Sequence, residues 1–300
     1  MEEKNTKSAF ISIVGRPNVG KSSLLNALCG YKIAIVTSKP QTTRTKINGI
    51  LTEDDTQLVF TDTPGIHKPK TKLGEHMVKA VRESVTNGDM TVLVIECKKQ
   101  NNLHRDELAI IDSFKAANFN AILVINKVDI VKDKTKIIKL IEIASKLYDF
   151  KEIIPLSAKT GDGVDILLDI LKNNAVESPH YFPDDTLTDQ PERVIASELI
   201  REKIMRAMSE EIPHGIAVEI EKFSQRKNGI LDISCVIYCE KQNHKGMVIG
   251  KNGEILKNIA TSARADIENF MQCKVNLQCW IKVKEDWRNR EGYIKNFGLN

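Results

Sequence analysis

The sequence predicts an α/β unit built on a mainly parallel sheet with helices on both faces, followed by a smaller α+β unit. Three observations predict this. The chain has 300 residues and a mass of 33.7 kDa, about twice a typical domain. Through residue 171, short β-branched apolar runs alternate with helical stretches, and continuously apolar strands are those buried on both faces of a parallel sheet. Past residue 190 the order becomes helix, strand, strand, helix, strand, with strands that alternate apolar and polar residues.

The elements justify themselves in order. Ala9 to Val14 is an apolar run ending at Gly15, and Lys21 to Cys29 has helical spacing, so the chain opens as strand, loop and helix. Strands are expected at Gln57 to Phe60, Thr91 to Ile95, Ala121 to Ile125 and Ile153 to Leu156. Helices are expected at Leu73 to Thr86, Asp106 to Ala117, Lys134 to Leu147 and Gly163 to Leu171. The stretch from Ser178 to Thr186 is rich in proline, aromatic and acidic residues and has no period. The expected organisation is therefore residues 1–178, a linker at 179–190, and a second domain with a C-terminal tail at 191–300. That second domain reads as a helix from Pro191 to Ser209, strands at Ile216 to Phe223 and Leu231 to Tyr238, a helix from Glu254 to Met271 and a strand from Lys274 to Val283.

With 41% hydrophobic and 28% charged residues the composition is that of an ordinary globular chain, which argues against disorder or a fibrous fold. The apolar runs fall far short of the roughly 20 residues that cross a bilayer, and Met1 to Ser8 lacks the layout of a signal peptide, so a cytoplasmic location is expected. Six cysteines at 29, 97, 235, 239, 273 and 279 show no CxxC pair and read as reduced packing residues. Net charge is only +4, yet the last 120 residues are polarised. Seven basic side chains face twelve acidic ones over 181–240, a balance of −5, and eleven face six over 241–300, a balance of +5. The basic end suits an anionic partner, although a solvated charged face would look the same.

Gly15-Arg16-Pro17-Asn18-Val19-Gly20-Lys21-Ser22, followed by Ser23, fits GxxxxGK[ST] and lies between a strand and a helix. The glycines let backbone wrap phosphates, the helix N-terminus offers oriented N–H groups, Lys21 sets a cation against the β- and γ-phosphates, and Ser22 offers a hydroxyl to Mg²⁺. That loop alone would serve ATP as well as GTP. Asn126-Lys127-Val128-Asp129 decides for guanine, because the Asp129 carboxylate can accept from both N1–H and N2–H₂, a donor pair adenine lacks. Asn126 would brace the loop, Lys127 would lay its stem along the ring, and Ser157-Ala158-Lys159 would offer backbone N–H groups to the guanine oxygen. In Asp62-Thr63-Pro64-Gly65 the carboxylate would hold Mg²⁺ through water and the Gly65 N–H would meet the γ-phosphate. The polar loop Ser38 to Thr45 should complete the Mg²⁺ shell through Thr43, or Thr42 as the second choice.

Gly250-Lys251-Asn252-Gly253 precedes a long helix, the GXXG arrangement in which a nucleic-acid backbone lies against main-chain N–H groups. Ile249, Ile255, Ile259 and Ile233 are candidates for an adjoining base groove, with core packing as the competing role. Trp280 and Trp287 could stack on bases or pack inside.

In their order, GRPNVGKS, QTTRT, DTPG, NKVD and SAK over residues 15 to 159 resemble the translation-factor-related GTPases. Tyr181-Phe-Pro, the helix from Glu192 to Ile204, Glu211-Ile-Pro-His-Gly215 and the loop at 250–253 extend the resemblance to the Era family of bacterial GTPases over nearly the whole chain. The resemblance implies a P-loop GTPase domain followed by a type II K-homology (KH) domain. It implies GTP/GDP and Mg²⁺ as ligands, binding near the 3′ end of 16S ribosomal RNA, and assistance to maturation of the 30S ribosomal subunit; a monomer that does not act on DNA is expected, although the sequence does not fix the oligomeric state. Lys21, Thr43, Asp62, Gly65 and Asn18 are the expected catalytic set. Ile66 stands where Ras-like proteins place a water-orienting glutamine, so unassisted hydrolysis should be slow. Asn18 matches the asparagine that in related GTPases helps hold K⁺ beside the phosphates. Two alternatives stay open: an RNA chaperone with nucleotide sensing and negligible turnover, and a signalling GTPase attached peripherally to the inner face of the membrane. The latter has less support, because no amphipathic basic helix or lipidation signal stands out.

Overall fold

The computed structural model describes residues 5–65, 71–77, 79, 88–97, 102–117, 119–209 and 212–299. It divides into two compact units. The first comprises Met1–Ala34, Thr43–Lys68 and Met77–Asp189, and the second Ile35–Thr42, Pro69–His76 and Gln190–Asn300.

In the first unit the strands β1 (Lys7–Val14), β2 (Ile47–Glu53), β3 (Thr56–Asp62), β4 (Met90–Glu96), β5 (Ala121–Asn126) and β6 (Glu152–Pro155) lie in the order β2-β3-β1-β4-β5-β6. A two-residue strand β7 (Val176–Glu177) adds to β1 antiparallel. All other pairings are parallel except β2 with β3. Strand β2 was absent from the sequence reading. A tight turn at Asp54 and Asp55, with Asp54 at φ 55°, folds it back so that Glu53 pairs with Thr56.

The unbroken apolar runs follow from burial on both sides. Along β4, Val92 and Val94 point to one face and Leu93 and Ile95 to the other, all fully buried. The first face is covered by Leu24, Leu25 and Leu28 of α1 (Lys21–Cys29) and by Leu167 and Leu171 of α4 (Val164–Asn173). The second is covered by Ile111 and Phe114 of α2 (Arg105–Ala117) and by Ile137 and Leu140 of α3 (Thr135–Leu147). This layering brings the carboxyl ends of β1, β3, β4 and β5 to one edge, where ligands of such sheets bind. Of the helix expected at Leu73 to Thr86, residues 72–77 and 79 are helical and the remainder lies outside the described residues, as do Ile66 and Glu211.

Residues 179–189, expected as most of the linker, pack on the first unit. Gln57 Oε1 accepts the backbone N–H groups of Tyr181 and Phe182 at 2.8 and 3.0 Å, and the Tyr181 ring meets Phe10 edge-on at 4.9 Å. A stretch without period can still be ordered when its backbone donors find a buried side chain.

The second unit holds β8 (Ala217–Gln225), β9 (Leu231–Cys239) and β10 (Val275–Val283), with β9 central, antiparallel to β8 and parallel to β10. Helices α5 (Glu192–Ala207) and α7 (Glu254–Met271) share the core with the inward residues of β9. A further helix, α6 (Gln242–Ile249), precedes the GXXG loop, and α8 (Glu291–Asn296) ends the fold. Cys235 and Cys239 are buried in this core as free thiols, and among the described residues no group of three or more His, Cys, Asp or Glu side chains is placed to hold a metal ion. The segment 35–42 belongs here as well. Ile35 is 1% exposed in the core, the Val36 N–H donates to Glu202 at 2.9 Å, and the Arg201 guanidinium donates to the Thr42 carbonyl. Glu202 is fully buried and is paired with Arg206 at 3.0 Å, as a buried carboxylate requires.

Candidate functional site

The phosphate loop runs from the end of β1 into α1, and its backbone explains its glycines. Gly15 has φ 149°, Asn18 φ 65° and Gly20 φ 102°. A Cβ on Gly15 would come within 2.3 Å of the Val94 carbonyl oxygen, and one on Gly20 within 2.2 Å of Asn126 Nδ2. Only glycine fits at these two positions, which is what lets the loop close tightly onto β4 and Asn126 at the start of α1. Lys21 Nζ donates to the carbonyls of Gly15 and Arg16 at 3.1 and 3.0 Å. Burial pulls this ammonium down to about 8, against the opposing pull of the Asp62 charge, so an arriving phosphate would find a desolvated cation already aimed.

Beside it, three oxygens converge. Ser22 Oγ donates to Asp62 Oδ2 at 2.6 Å, Thr43 Oγ1 donates to the same oxygen at 3.1 Å, and the two hydroxyls are 2.9 Å apart. Burial holds the Asp62 carboxyl above its usual range, while Lys21 and the two hydroxyls pull the other way. Its Oδ1 is buried without a hydrogen-bond partner. Two hydroxyls and a carboxylate form a hard-oxygen donor set, and a buried orphan oxygen calls for a cation or its water, so these residues fit Mg²⁺. The structure distinguishes the two threonines: Thr42 Oγ1 is committed to Thr37 Oγ1 and the Lys39 carbonyl, both at 2.7 Å, and only Thr43 joins Ser22 and Asp62. Thr63 Oγ1 donates to the Ile13 carbonyl at 2.8 Å, tying the start of the DTPG segment to β1. A Cβ on Gly65 would lie 2.7 Å from Pro17, so this segment passes directly against the phosphate loop.

At the other end Asn126 is the hub. It is 2% exposed, donates from Nδ2 to the Val19 carbonyl at 2.9 Å, and accepts at Oδ1 from the N–H groups of Lys127 (2.7 Å) and Ala158 (3.0 Å). One side chain thus joins the phosphate loop, the NKVD segment and the SAK segment. Ser157 Oγ donates to Asp129 Oδ1 at 2.8 Å, which fixes the carboxylate. Within the protein the N–H groups of Ser157 and Ala158 donate to the Asp162 carbonyl (2.9 Å) and to Asn126 Oδ1 (3.0 Å), which closes the loop at the end of β6. Lys159 is exposed at the end of this segment. Lys127, at φ 65°, places Nζ on the Asn18 carbonyl at 2.5 Å and on Glu96 Oε2 at 2.7 Å. The Arg16 side chain pairs with Glu107 at 2.8 Å, which turns its guanidinium toward α2. Glu96 and Glu107 escaped the sequence reading. No motif marks them, and only the placement of β4 beside β5, with Glu96 paired to Asn126 in register, brings the first into range.

In the second unit the GXXG loop has the strained backbone its glycines permit. Gly250 has φ 73° and ψ −179°, and a Cβ there would strike Ile255 at 2.5 Å. Asn252 and Gly253 are left-handed at φ 52° and 78°, and Gly253 caps α7. Lys251 and Asn252 are exposed at the tip. Next to the loop a cavity of about 530 Å³ is lined by Lys203 and Arg206 of α5 and by Ile255, Asn258, Ile259 and Ser262 of α7. Of the groove candidates, Ile233 and Ile259 are core residues at 1% and 3% exposure, whereas Ile249 and Ile255 are half-buried. Trp287 is an interior residue whose Nε1 donates to the Gly215 carbonyl at 2.9 Å, which removes it as a base-stacking candidate. Trp280 is exposed on β10.

Comparison with known proteins agrees with this geometry. Residues 10–127 match the family described as 50S ribosome-binding GTPase, and residues 211–288 match the KH domain. The protein GTPase Era of Clostridioides difficile strain 630 is 50% identical over 98% of this chain and 99% of its own length. The chain belongs to the Era GTPase family. Era of Ruminiclostridium cellulolyticum is 47% identical over 97% of each chain. A crystal structure of an Aquifex aeolicus Era variant bound to GDP.AlF4- superposes with a TM-score of 0.93 at 36% identity, covering 98% of this chain and 99% of that one. A structure of Era in complex with MgGDPNP and nucleotides 1506–1542 of 16S ribosomal RNA superposes with a TM-score of 0.92 at 35% identity, with the same coverage. As an Era-family member the chain is a P-loop GTPase that uses GTP, GDP and Mg²⁺ and carries a KH domain C-terminal to its GTPase domain.

Proposed function

We propose that this protein is a GTP-hydrolysing switch that binds 16S ribosomal RNA near its 3′ end through residues 250–253 and assists maturation of the 30S subunit. The observation that carries the reading is the convergence of Lys21, Ser22, Thr43 and Asp62 at one end of a site whose other end is built by Asn126, Asp129 and Ser157. The RNA part is supported by the exposed GXXG loop beside a cavity with two cations and an amide. It is supported too by the Era relative seen with a 16S RNA segment.

In the mechanism, the backbone N–H groups of the loop from Gly15 to Ser23, Pro17 excepted, cradle the phosphates. Lys21 exchanges its two loop carbonyls for phosphate oxygens and stabilises charge that grows toward the leaving group. Mg²⁺, when bound, neutralises charge across the β- and γ-phosphates. Ser22, Thr43 and Asp62 would hold it, Asp62 through water. The Gly65 N–H and Thr43 report the γ-phosphate, because both lie on segments that lose a partner when it leaves. Asp129 reads the guanine edge and Lys127 walls the ring. The reading places the protein in the cytoplasm as a monomer, with membrane contact no more than weak and peripheral. No helix among the described residues is long and apolar enough to cross a membrane.

Asp129→Asn tests the guanine assignment, since an amide pairs with the xanthine O2 and nucleotide preference should pass from GTP to xanthosine triphosphate. Unchanged GTP affinity would overturn it. Turnover measured with and without a 16S 3′-end oligonucleotide separates a hydrolytic switch from a nucleotide-sensing chaperone.

A further inference from the structure

Lys127 is held by more than the loop it belongs to. Its ammonium has two fixed acceptors, the Asn18 carbonyl at 2.5 Å and Glu96 Oε2 at 2.7 Å. Its stem passes near Gly20, where an added Cβ would lie 4.0 Å from Lys127 Cε. Glu96 is the last residue of β4, paired in register with Asn126, and its side chain is 17% exposed. Its other oxygen lies 3.9 Å from the Arg16 guanidinium. Arg16 Nε in turn donates to Glu107 Oε1 at 2.8 Å, and Glu107 Oε2 accepts the His104 N–H at 2.7 Å where α2 begins. Glu107 is 3% exposed. The result is a chain of alternating charge, Lys127–Glu96–Arg16–Glu107, anchored at one end on the sheet and at the other on a helix start.

A lysine stem left to itself has four rotatable bonds whose freedom must be lost before it can form one wall of a purine pocket. Two acceptors that are already placed remove most of that loss before ligand arrives. We propose that Glu96 is an affinity-determining positioning residue for the nucleotide base: it fixes the Lys127 ammonium on the phosphate loop so that the stem stands ready as the wall of the purine site. Arg16 and Glu107 keep Glu96 from swinging away. This rests on the guanine-pocket reading above. It adds a residue from β4, 31 positions before Lys127, to a site otherwise read from the NKVD segment. Glu96 reaches the phosphate loop only indirectly in these contacts, through the Arg16 side chain and through Lys127 on the Asn18 carbonyl, and it bears directly on the wall of the base site, so its loss should act on the base more than on the phosphates.

The test measures dissociation of N-methylanthraniloyl-GDP from the full chain by stopped flow, with thermal unfolding of each variant in parallel. Glu96→Ala should release the probe ~10-fold faster with an association rate within about twofold of the parent. Glu96→Gln, the same shape with a neutral acceptor, should release it ~3-fold faster and keep the parent's unfolding temperature. In a Lys127→Met background, adding Glu96→Ala should change dissociation by less than about twofold, because the group it positions is gone. Inorganic tripolyphosphate should compete equally well in parent and Glu96→Gln. An unchanged dissociation rate in both Glu96 variants, a full additional loss on Lys127→Met, or a parallel loss of tripolyphosphate binding would each overturn the assignment. Asp129→Asn keeps the two readings apart. If it transfers preference to xanthine while the Glu96 variants behave as the parent, the pocket stands and the role of Glu96 falls.

Discussion

Replacing Asn126 by alanine should destabilise the protein before any nucleotide is added. The side chain makes three hydrogen bonds, one given to the Val19 carbonyl and two accepted from Lys127 and Ala158, and both Asn126 and Val19 are buried. Alanine removes all three partners at once. A net contribution of about 1 kcal/mol per bond gives ~3 kcal/mol, and the orphaned Val19 carbonyl, far from water, keeps the loss from being smaller. A unit of roughly 150–250 residues loses about 2–4 °C of Tm per kcal/mol, so the first unit should melt some 6–12 °C lower. The same three bonds hold the phosphate loop, the NKVD segment and the SAK segment in mutual register. If most of that energy also pre-organises the site, GDP affinity should fall by up to ~100-fold, at 1.4 kcal/mol per tenfold. Calorimetric melting of nucleotide-free Asn126→Ala, repeated with saturating GDP, reads both effects, because the stabilisation by GDP reports affinity through mass action. A Tm within about 1 °C of the parent together with an unchanged shift on adding GDP would refute the idea that this side chain couples the three segments.

Lys251→Asp combined with Asn252→Asp should lower affinity for a 16S 3′-end oligonucleotide at least ~10-fold at moderate salt and flatten the slope of log affinity against log salt, as fluorescence anisotropy over a salt series would show. Both positions are exposed, so the fold should persist and GDP binding should stay near the parent value. K⁺ should stimulate turnover more than Na⁺ and Asn18→Ala should abolish the difference, with phosphate release as the readout. Equal rates in the two salts for the parent would count against that. Acid sensitivity of the second unit should depend on Asp232, which accepts from the Arg226 guanidinium at 2.6 and 2.8 Å and from Asn276 at 2.8 Å. Those hydrogen bonds, Arg226 first, hold its carboxyl well below the usual carboxylate range. A depressed folded value means stability that is complete above the unfolded value of about 3.9 and is lost as pH falls below it. The unfolding temperature of the parent should therefore drop more between pH 5 and pH 3 than that of Asp232→Asn, and parallel drops would exclude the contribution.

The phosphate loop, the NKVD and SAK segments and the GXXG turn were legible in the sequence because each does its work with contiguous backbone. A glycine that must turn left-handed, or a helix start that must offer N–H groups, is written within a few residues of where it acts. The two-faced parallel sheet was legible for a related reason: strands buried on both sides carry no polar alternation, and β4 and β5 show none. What remained hidden depends on pairing across long stretches of chain. Strand β2 exists by virtue of its antiparallel partner and a two-residue turn, and helix α6 has no apolar face distinct enough to announce it. The segment 35–42, a polar stretch in the sequence, has Ile35 in the core of the second unit and its backbone on Glu202 and Arg201, some 160 residues away. That the Thr43 hydroxyl, and not that of Thr42, reaches Ser22 and Asp62 is likewise a matter of tertiary placement that adjacent threonines do not reveal. Glu96 and Glu107 acquired roles because the sheet order sets β4 beside β5 and α2 beneath the phosphate loop. Local sequence determines which backbone can bind a phosphate or a base. Tertiary structure decides which distant side chains hold it in place, because a charge finds its partner by proximity in space and no spacing along the chain encodes that.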